Sequence, residues 1–466
     1  MKLTRVHRAL AARWPLVATI AVFLALALLL LPWFRYLVNP DATSYVSLAL
    51  KWAELDLKGA VNGYWGPGLP AIMAPFIAAG ASDFLLVAKL VAVGCGVVIL
   101  LLLDRLFDFF KTKQKARLFL YVPLIPVLLN WTLVQPITAD LVFAVAALFM
   151  FWRAIVFLQQ PTRMHAVLLG VGGAALYFAK PMGFYAAGAA FGVMALVVWA
   201  RQKKKNVRTL WASSKNLVLP FAIFVLLSAP WIVALSLKYD KPSVATSSRL
   251  NHALVGPNLR VNPNPVIDQV IPPPNGTAIS SWEDPSDYPL QDWKVISRTN
   301  LLFGIGLLFA NTYMIFTTFN MATVFGAAIF AAVAFWRVAQ LLRRESKPGA
   351  FDFLLGISIV IMLAYIPILT LERYMYGSIL VVYLLAILLF SAPLAKLLPK
   401  AGLLALLGVL LVSTTHPVIT QMHRAKNYQK DLAVDAAMFR EYLPKGSRVV
   451  SNEVTSIYIC MHMQIQ

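Results

Sequence analysis

Residues 39–70, NPDATSYVSLALKWAELDLKGAVNGYWGPGLP, follow the first long apolar segment of the chain and resemble neither a membrane span nor an ordinary loop. Apolar residues recur there at helical spacing on one face, namely Tyr45, Leu48, Trp52 and Leu55. This pattern predicts an amphipathic helix that lies along a membrane interface. Asp41 precedes these positions, and the turn at residues 63–68 returns the chain to the bilayer. The stretch therefore predicts a carboxylate held at the membrane surface.

The composition predicts an all-α polytopic membrane protein. Hydrophobic residues make up 60% of the 466 residues, charged residues make up 13%, and the mean hydropathy is +0.72. These values are too apolar for a soluble chain of this length. The net charge of +21 does not indicate a nucleic-acid partner, because the basic residues form no patch interleaved with aromatic residues. More than half of them fall in short stretches that share one side of the membrane, as the positive-inside rule expects.

The number of membrane crossings follows from the length of the apolar runs. About 20 apolar residues span a bilayer, and this length predicts about 11 crossings. They are residues 14–34, 84–103, 118–132, 137–156, 165–179, 183–200, 217–237, 319–341, 353–369, 376–397 and 401–418. Basic residues before the first crossing place the N-terminus in the cytoplasm. Residues 301–316 are predicted to lie against the outer surface or to re-enter, because a further crossing would put Arg343 and Arg344 outside.

The chain is predicted to divide into two parts. Residues 1–418 form a transmembrane domain with external loops at 35–83 and 238–318, and interfacial helices lie in the first of these loops. The polar part of the second loop is long for a segment without structure, which predicts a functional element such as a lid. Residues 419–466 form a small external α/β segment with a helix at 427–443 and a strand at 448–454. A second strand is begun but not completed, so a truncated C-terminus is expected.

Five ionisable residues fall at the outer ends of the predicted crossings: Asp41, Asp140, Lys180, Glu372 and Arg373. A charged side chain at membrane depth costs about 2.5 to 3.5 kcal/mol on insertion scales, so each of them indicates a site. Their occurrence on one side of the membrane predicts a shared site at the outer surface.

Each of these residues also has a purely structural interpretation. Asp41 and Asp140 each precede a helix and could be N-caps. Lys180 could complement a helix dipole or extend to the interface, and Glu372 and Arg373 could pair with each other. An aromatic belt explains the tryptophans better than sugar-stacking platforms do, including Trp65, Trp131, Trp231 and Trp293. The histidines show no metal-ligand spacing, and the chain has no glycine-rich phosphate loop.

Several short motifs carry a resemblance to a known family. NPDATSY at 39–45 and YWGP at 64–67 resemble the first external loop of the GT-C glycosyltransferases, in the branch of aminoarabinose transferases and protein O-mannosyltransferases. Further motifs follow in the order of that family: TAD at 138–140, AKP at 179–181, APW at 229–231 and ERY at 372–374. The resemblance covers roughly residues 14–400.

This resemblance implies a GT-C-like fold and an activity. The expected reaction moves a sugar from a polyprenyl-phosphate donor to a hydroxyl of a glycolipid, surface polysaccharide or protein. It would take place on the outer face of the bacterial cytoplasmic membrane, where the C-terminus would also lie. The catalytic residues would be Asp41 as general base and Asp140 as its electrostatic or metal-binding partner. The expected substrate-binding residues are Tyr45, Tyr64, Trp65, Lys180, Glu372, Arg373 and Tyr374.

The sequence also departs from the family pattern. Ala42 stands where many relatives have a second acidic residue, so dependence on a divalent metal held by Asp41 and Asp140 is left open. Gly66 stands where many relatives have a lysine, which shifts the expected phosphate contacts to Lys180 and Arg373. The alternative functions are a secondary transporter or lipid flippase, whose charges would mark a substrate path, and a scaffold that binds a partner.

Overall fold

The computed structural model describes residues 13–442, with gaps at 203–205, 207–213, 258–271, 276–277, 295–296, 298, 323–325, 344–345 and 398. The described part of the chain is built from α-helices. Their bounds are α1 Trp14–Phe34, α2 Pro40–Ala53, α3 Leu57–Ala60, α4 Gly68–Ala78, α5 Phe84–Phe109, α6 Gln114–Leu129, α7 Asp140–Gln159, α8 Arg163–Ala179, α9 Met182–Ala200, α10 Val218–Lys238, α11 Ser247–Leu254, α12 Leu301–Ala322, α13 Gly326–Leu342, α14 Ala350–Tyr365, α15 Tyr376–Leu397 and α16 Lys400–Tyr442. A π-helical turn, Asn130–Val134, continues α6, and short 3-10 turns occur at Lys215–Leu217, Pro285–Asp287 and Glu372–Met375.

The protein is a multi-pass membrane protein. Within the described ranges, nine helices are long and apolar enough to cross a bilayer: α1, α5, α6 with its π turn, α7, α9, α10, α12, α15 and α16. Four shorter apolar helices, α4, α8, α13 and α14, accompany them. A lipid core satisfies no backbone polar groups, and helices satisfy these groups internally, which explains the helical architecture. The predicted number of about 11 crossings stays a prediction.

Helix α7 lies at the centre of the bundle and packs against α5, α8, α14 and α15. Its buried face includes small residues such as Ala144, Ala147 and Ala154, which let neighbouring helices approach closely. Glycine has the same effect between α8 and α10, where a Cβ atom at Gly170 would lie 2.6 Å from the Pro220 carbonyl oxygen. This close packing fixes the position of the first residue of α7, Asp140.

The bundle has two ends that differ in their charged residues. We call the end at which α2, α7, α9 and α15 begin the site side, and the other end the opposite side. The predicted bounds of α1 and α15 are confirmed, and residues 40–53 form the expected amphipathic helix. The prediction that this helix lies along the membrane interface stays a prediction.

Helices α12 and α13 replace the single helix predicted at residues 319–341. That prediction was wrong, because α12 ends at Ala322 and α13 begins at Gly326. A continuous apolar sequence shows that a segment can be buried in lipid, but it does not show where a helix breaks. Helix α12 begins at Leu301, in the region predicted to lie against the outer surface or to re-enter.

Contacts along these two helices run from the site side to the opposite side. In α12, the Nδ2 of Asn311 donates to the Ile366 carbonyl at 2.8 Å, just before the Glu372–Met375 turn of the site side. In α13, Arg337 binds Asp352 at 2.6 Å, in the first turn of α14 on the opposite side. Helix α12 therefore contacts the site side, and α13 contacts the opposite side.

At the C-terminus, α16 runs without interruption from Lys400 to Tyr442. The prediction of separate helices at 401–418 and 427–443 was wrong, because the end of an apolar run marks a change of solvent and not the end of a helix. The strand at 448–454 and the second strand lie outside the described residues. The division of the chain at residue 418 stays a prediction.

A cluster of ion pairs joins α1, α5 and α6 on the opposite side. Asp104 is buried and accepts from Arg13 at 3.0 Å, Arg117 at 2.6 Å and the Tyr121 hydroxyl at 2.9 Å. Asp108 binds the same two arginines, at 2.7 and 2.9 Å. The cluster ties these three helices together.

We expect Asp104→Ala to destabilise the protein by about 1 to 3 kcal/mol, because it leaves the buried Tyr121 hydroxyl without its acceptor and leaves the Arg117 guanidinium with the more exposed Asp108 alone. The change is measured as a lower midpoint of thermal unfolding in detergent. The matched control is Asp292→Ala, which breaks an exposed pair with Arg249 and is expected to leave the midpoint nearly unchanged. Equal midpoints for the two variants would contradict the structural role of the cluster.

Candidate active site at the site side of the bundle

Two carboxylates and two cations from separate helix ends meet on the site side. Asp140 Oδ1 accepts from Lys180 Nζ at 2.6 Å, and Asp140 Oδ2 accepts from the Thr138 hydroxyl at 2.8 Å. Arg373 lies between the two carboxylates, with Nη2 at 2.8 Å from Asp41 Oδ2 and Nε at 3.6 Å from Asp140 Oδ2. The structure thus brings together four of the residues that the sequence singled out.

Neither aspartate is a helix cap, so the capping interpretation was wrong for both. The side chain of Asn39 caps α2 by accepting from the Ala42 amide at 3.0 Å, which leaves the Asp41 carboxylate free to bind Arg373. The N-cap of α7 is Ala139, and Asp140 lies in the first turn. Both carboxylates therefore lie at helix N-termini, where the helix dipole favours negative charge.

Lys180 lies between α8 and α9 in an extended backbone conformation, and its side chain turns into the site. Its Nζ lies 3.7 Å from the ring centroid of Tyr374, which stacks on Tyr365 at 4.8 Å. Burial lowers the pKa of Lys180 below its usual value, and the Asp140 carboxylate opposes this shift. A lysine held in this way contacts Asp140.

The glycines of the YWGP turn bring the first external loop against Lys180. A Cβ atom at Gly66 would lie 2.7 Å from the Ala179 carbonyl oxygen, and one at Gly68 would lie 2.9 Å from Ala179 Cα. Only a residue without a side chain permits this approach. The turn therefore forms a wall of the site beside the end of α8.

Glu372 faces away from its neighbour Arg373. Its Oε1 accepts from the Trp131 indole at 3.0 Å, and Trp131 stacks on Tyr376 at a centroid distance of 3.9 Å. The interpretation of Glu372 and Arg373 as a mutual pair was wrong, because the two side chains bind different partners. The aromatic-belt interpretation was also wrong for Trp131 and for Trp65, since both rings are buried in protein.

The other aromatic residues expected in the site form a cluster next to Asp41. The ring of Trp65 lies 4.9 Å from Tyr45 and 4.5 Å from Tyr64. Burial raises the pKa of both tyrosines, so their hydroxyls stay protonated. The Tyr64 hydroxyl donates to Asn251 Oδ1 at 2.8 Å, so its proton does not bind Asp41.

A large apolar cavity reaches Ala179, the residue before Lys180. It has a volume of about 650 Å³ and lies among α2, α4, α7, α8 and α10. Its lining includes Trp52, Ala71, Phe149, Ala179 and Trp231. Ala179 directly precedes Lys180, so the cavity ends next to the backbone of the site lysine.

The described residues fit a divalent metal poorly. Within the part of the chain that the structure describes, no three histidine, cysteine, aspartate or glutamate side chains lie close enough to bind one ion. Asp41 and Asp140 lie on either side of the Arg373 guanidinium, which supplies positive charge between them. A metal ion between these carboxylates would have to displace Arg373.

Sequence reasoning missed two residues that support the site. Lys89 is completely buried in α5, and its Nζ donates to the carbonyls of Leu133 at 2.5 Å and Gln135 at 3.3 Å. Leu133 lies in the π turn that carries Trp131, and Gln135 directly follows this turn. The only signal in the sequence is a lysine within a predicted crossing. Trp282 donates through Nε1 to Asp41 Oδ1 at 3.1 Å, and no pattern in its loop predicted this contact.

Comparisons with known proteins identify the fold. No family model and no curated protein matches the chain. Solved structures do match, among them ArnT from Cupriavidus metallidurans bound to undecaprenyl phosphate, at 14% sequence identity and a TM-score of 0.55. That match covers 96% of this chain and 85% of ArnT.

The archaeal oligosaccharyltransferase AglB from Archaeoglobus fulgidus, in complex with an inhibitory peptide and a dolichol-phosphate, is also similar. Its identity is 12% and its TM-score is 0.54, over 98% of this chain and 64% of AglB. Both neighbours are members of the GT-C superfamily. The chain therefore has the GT-C fold.

We expect Lys89→Met to lower the midpoint of thermal unfolding, because it leaves the buried carbonyl of Leu133 without the Lys89 donor. An unsatisfied buried group costs about 1 to 3 kcal/mol. The measurement is thermal unfolding in detergent, with Lys115→Met as the control at an exposed lysine of α6. A Lys89→Met protein as stable as the control would show that this bond does not stabilise the fold.

Proposed function

We propose that this protein transfers a sugar from a polyprenyl-phosphate donor to an acceptor hydroxyl. The observation that carries the proposal is the contact of Asp41, Asp140, Lys180 and Arg373 beside a large apolar cavity. Such a site combines a lipid-binding surface, cations for a phosphate and a carboxylate base. The GT-C fold agrees with this assignment by analogy.

The apolar cavity is the proposed site of the polyprenyl chain. It is lined by aliphatic and aromatic side chains and borders Ala179, so the phosphate of a bound donor would lie next to Lys180. The two solved neighbours support this choice of ligand, since ArnT was determined with undecaprenyl phosphate and AglB with a dolichol-phosphate.

Lys180 and Arg373 are the proposed binding groups for the leaving phosphate. Negative charge develops on the phosphate oxygen as its bond to the sugar breaks, and fixed cations stabilise that charge. Both cations already bind carboxylates, which hold them in place before the donor arrives. An arginine can donate to a phosphate through two parallel N–H groups, while the lysine contributes a point charge.

Asp41 is the proposed general base. Its side chain is 14% exposed, whereas the Asp140 side chain is only 4% exposed and binds Lys180 and Thr138. Asp41 is thus the carboxylate that an acceptor can reach, and Asp140 orients the cations. The acceptor oxygen bonds to the anomeric carbon, the bond from that carbon to the phosphate oxygen breaks, and the hydroxyl proton passes to Asp41.

This mechanism has consequences for the stereochemistry and the products. A single displacement inverts the anomeric centre and releases a polyprenyl phosphate that remains in the membrane. No step uses a divalent metal, because Arg373 occupies the space between the two carboxylates. The sugar stays open, as does the acceptor, which is a glycolipid, a surface polymer or a protein. We place the reaction on the outer face of the cytoplasmic membrane, with the N-terminus in the cytoplasm.

The geometry favours this enzyme over a secondary transporter or flippase. Transporter sites lie near the bilayer midplane, where discontinuous helices expose backbone groups. Here the charged residues lie at one end of the bundle. They lie at the C-terminal end of α8 and at the beginnings of α2, α7 and α15.

We expect Asp41→Asn to lower the rate of sugar transfer by about 100-fold or more, because a positioned base contributes about 10² to 10⁴ in rate. The assay measures transfer of radiolabelled sugar from polyprenyl-phosphate donors in membranes with matched expression. The control is Asp240→Asn, at an exposed aspartate of the second external loop, which should retain the wild-type rate. Equal transfer by Asp41→Asn and wild type would rule out Asp41 as the base.

A second prediction tests the cavity. We expect Ala71→Phe to fill part of it and to raise KM for a donor with a long polyprenyl chain, with little effect on a donor of two isoprene units. The control is Ala78→Phe, an exposed position of the same helix that does not line the cavity. If Ala71→Phe affects both donors equally, the chain does not bind in this cavity.

A further inference from the structure

Residues 278–288 of the second external loop, which we call the external strap, lie across Asp41. The carboxylate of Glu283 binds Lys51 of α2 and accepts from the Ser47 hydroxyl at 2.7 Å. It also accepts from the Ile279 amide at 2.8 Å, and the Glu283 carbonyl accepts from Asn62 Nδ2 at 2.6 Å. Every one of these partners lies in the first external loop or in the strap itself, so Glu283 fixes the strap to α2.

The next residue of the strap makes a second attachment. Asp284 accepts from Lys238 Nζ at 2.6 Å and from the Tyr239 hydroxyl at 3.0 Å, both at the end of α10. The same Tyr239 hydroxyl accepts from the Gly63 amide at 2.9 Å, in the turn that precedes Trp65. Two consecutive acidic residues therefore hold the strap to two different elements of the site side.

Trp282 directly precedes these two attachments and contacts the proposed base. Its Nε1 donates to Asp41 Oδ1 at 3.1 Å, and its carbonyl accepts from Trp65 Nε1 at 3.0 Å. Its ring packs against Tyr64 at a centroid distance of 5.1 Å. Contacts with Trp65 and Tyr64 thus hold Trp282 in place. The N–H group of its indole, the only polar group of the side chain, donates to the Asp41 carboxylate.

Trp282 and Arg373 bind different oxygens of the Asp41 carboxylate. A guanidinium and a carboxylate prefer two parallel hydrogen bonds, which would engage both oxygens of Asp41. In the structure Asp41 Oδ2 lies 2.8 Å from Arg373 Nη2, while Oδ1 accepts from Trp282. A carboxylate held in this orientation keeps one lone pair on Oδ1 for an incoming hydroxyl, whereas a fully paired carboxylate would be a poor base.

The ion pair of Lys51 and Glu283 anchors the strap to α2. A buried ion pair is often no more stabilising than a well-packed apolar pair, so stability alone does not account for Lys51 and Glu283. An ion pair fixes the register of the segments that it joins. Here that register places Trp282 over Asp41.

We propose that Trp282 is a positioning residue that orients Asp41 for proton abstraction, and that the Lys51–Glu283 pair positions Trp282. This inference rests on the proposed function, in which Asp41 is the base. The external strap would then take part in catalysis by orienting Asp41, which the first external loop and the helix bundle do not do alone.

The first test compares Trp282→Phe with Trp293→Phe in the sugar-transfer assay. Both changes remove one indole N–H from the same external loop, but Trp293 donates to the His252 carbonyl and not to Asp41. We expect Trp282→Phe to lower kcat by about 10- to 100-fold, the effect of losing a hydrogen bond to a charged group, with KM for the donor unchanged. Trp293→Phe should stay within about twofold of wild type. An unchanged kcat in Trp282→Phe would overturn the proposal.

The second test separates anchoring from orientation. Hydrogen exchange of the strap amides, read by mass spectrometry, should accelerate in Glu283→Gln but not in Trp282→Phe, although both variants lose kcat. Replacing the pair by apolar residues, in Lys51→Met with Glu283→Leu, should restore part of the protection and part of kcat. Full activity in Glu283→Gln despite accelerated exchange would show that the anchor does not position Trp282.

A third measurement does not depend on activity. In protein with ¹⁵N-labelled tryptophan, the indole signal of Trp282 is identified by its absence in Trp282→Phe. It should shift in Asp41→Asn and stay in place in Asp240→Asn. A shifted signal in a protein that transfers no sugar would support the contact and reject the proposed function. An unshifted signal would reject the contact whether or not the protein is active.

Discussion

The Arg373 guanidinium between Asp41 and Asp140 is the interaction on which the rest of the site depends. Two carboxylates at the N-terminal ends of α2 and α7 repel each other in a medium of low dielectric constant, and one cation between them removes that repulsion. Lys180 adds a second positive charge on the far side of Asp140. The site therefore holds alternating charges before any substrate is bound, and a phosphate can replace a carboxylate as the partner of either cation.

This arrangement needs support from outside the charged residues themselves. Glycines at 66 and 68 let the first external loop lie against the end of α8, and Lys89 holds the carbonyls after the π turn that carries Trp131. The external strap closes the remaining side through Trp282. Charged groups keep a defined geometry only when neutral and paired neighbours fix each of them, because water would otherwise compete for their hydrogen bonds.

Much of the fold follows from periodicity and composition. The bounds of α1 and α15 agree with the apolar runs that predicted them, and the amphipathic pattern after Asp41 gives α2. The pattern failed where a helix breaks inside an apolar run, between α12 and α13, and where a helix continues beyond one, in α16. Hydropathy reports the solvent around a segment, whereas hydrogen bonding and packing decide where its helix ends.

The sequence by itself determined that the chain is a helical membrane protein and that Asp41, Asp140, Lys180 and Arg373 lie at the same end of it. Span length and the cost of burying charge are local properties, so they can be read from the order of residues. Only the tertiary structure decided the partners of these residues: that Glu372 binds Trp131 instead of Arg373, and that Trp282 contacts Asp41. These contacts join residues far apart in the chain, and no sequence period encodes the direction in which a side chain points across a folded interface.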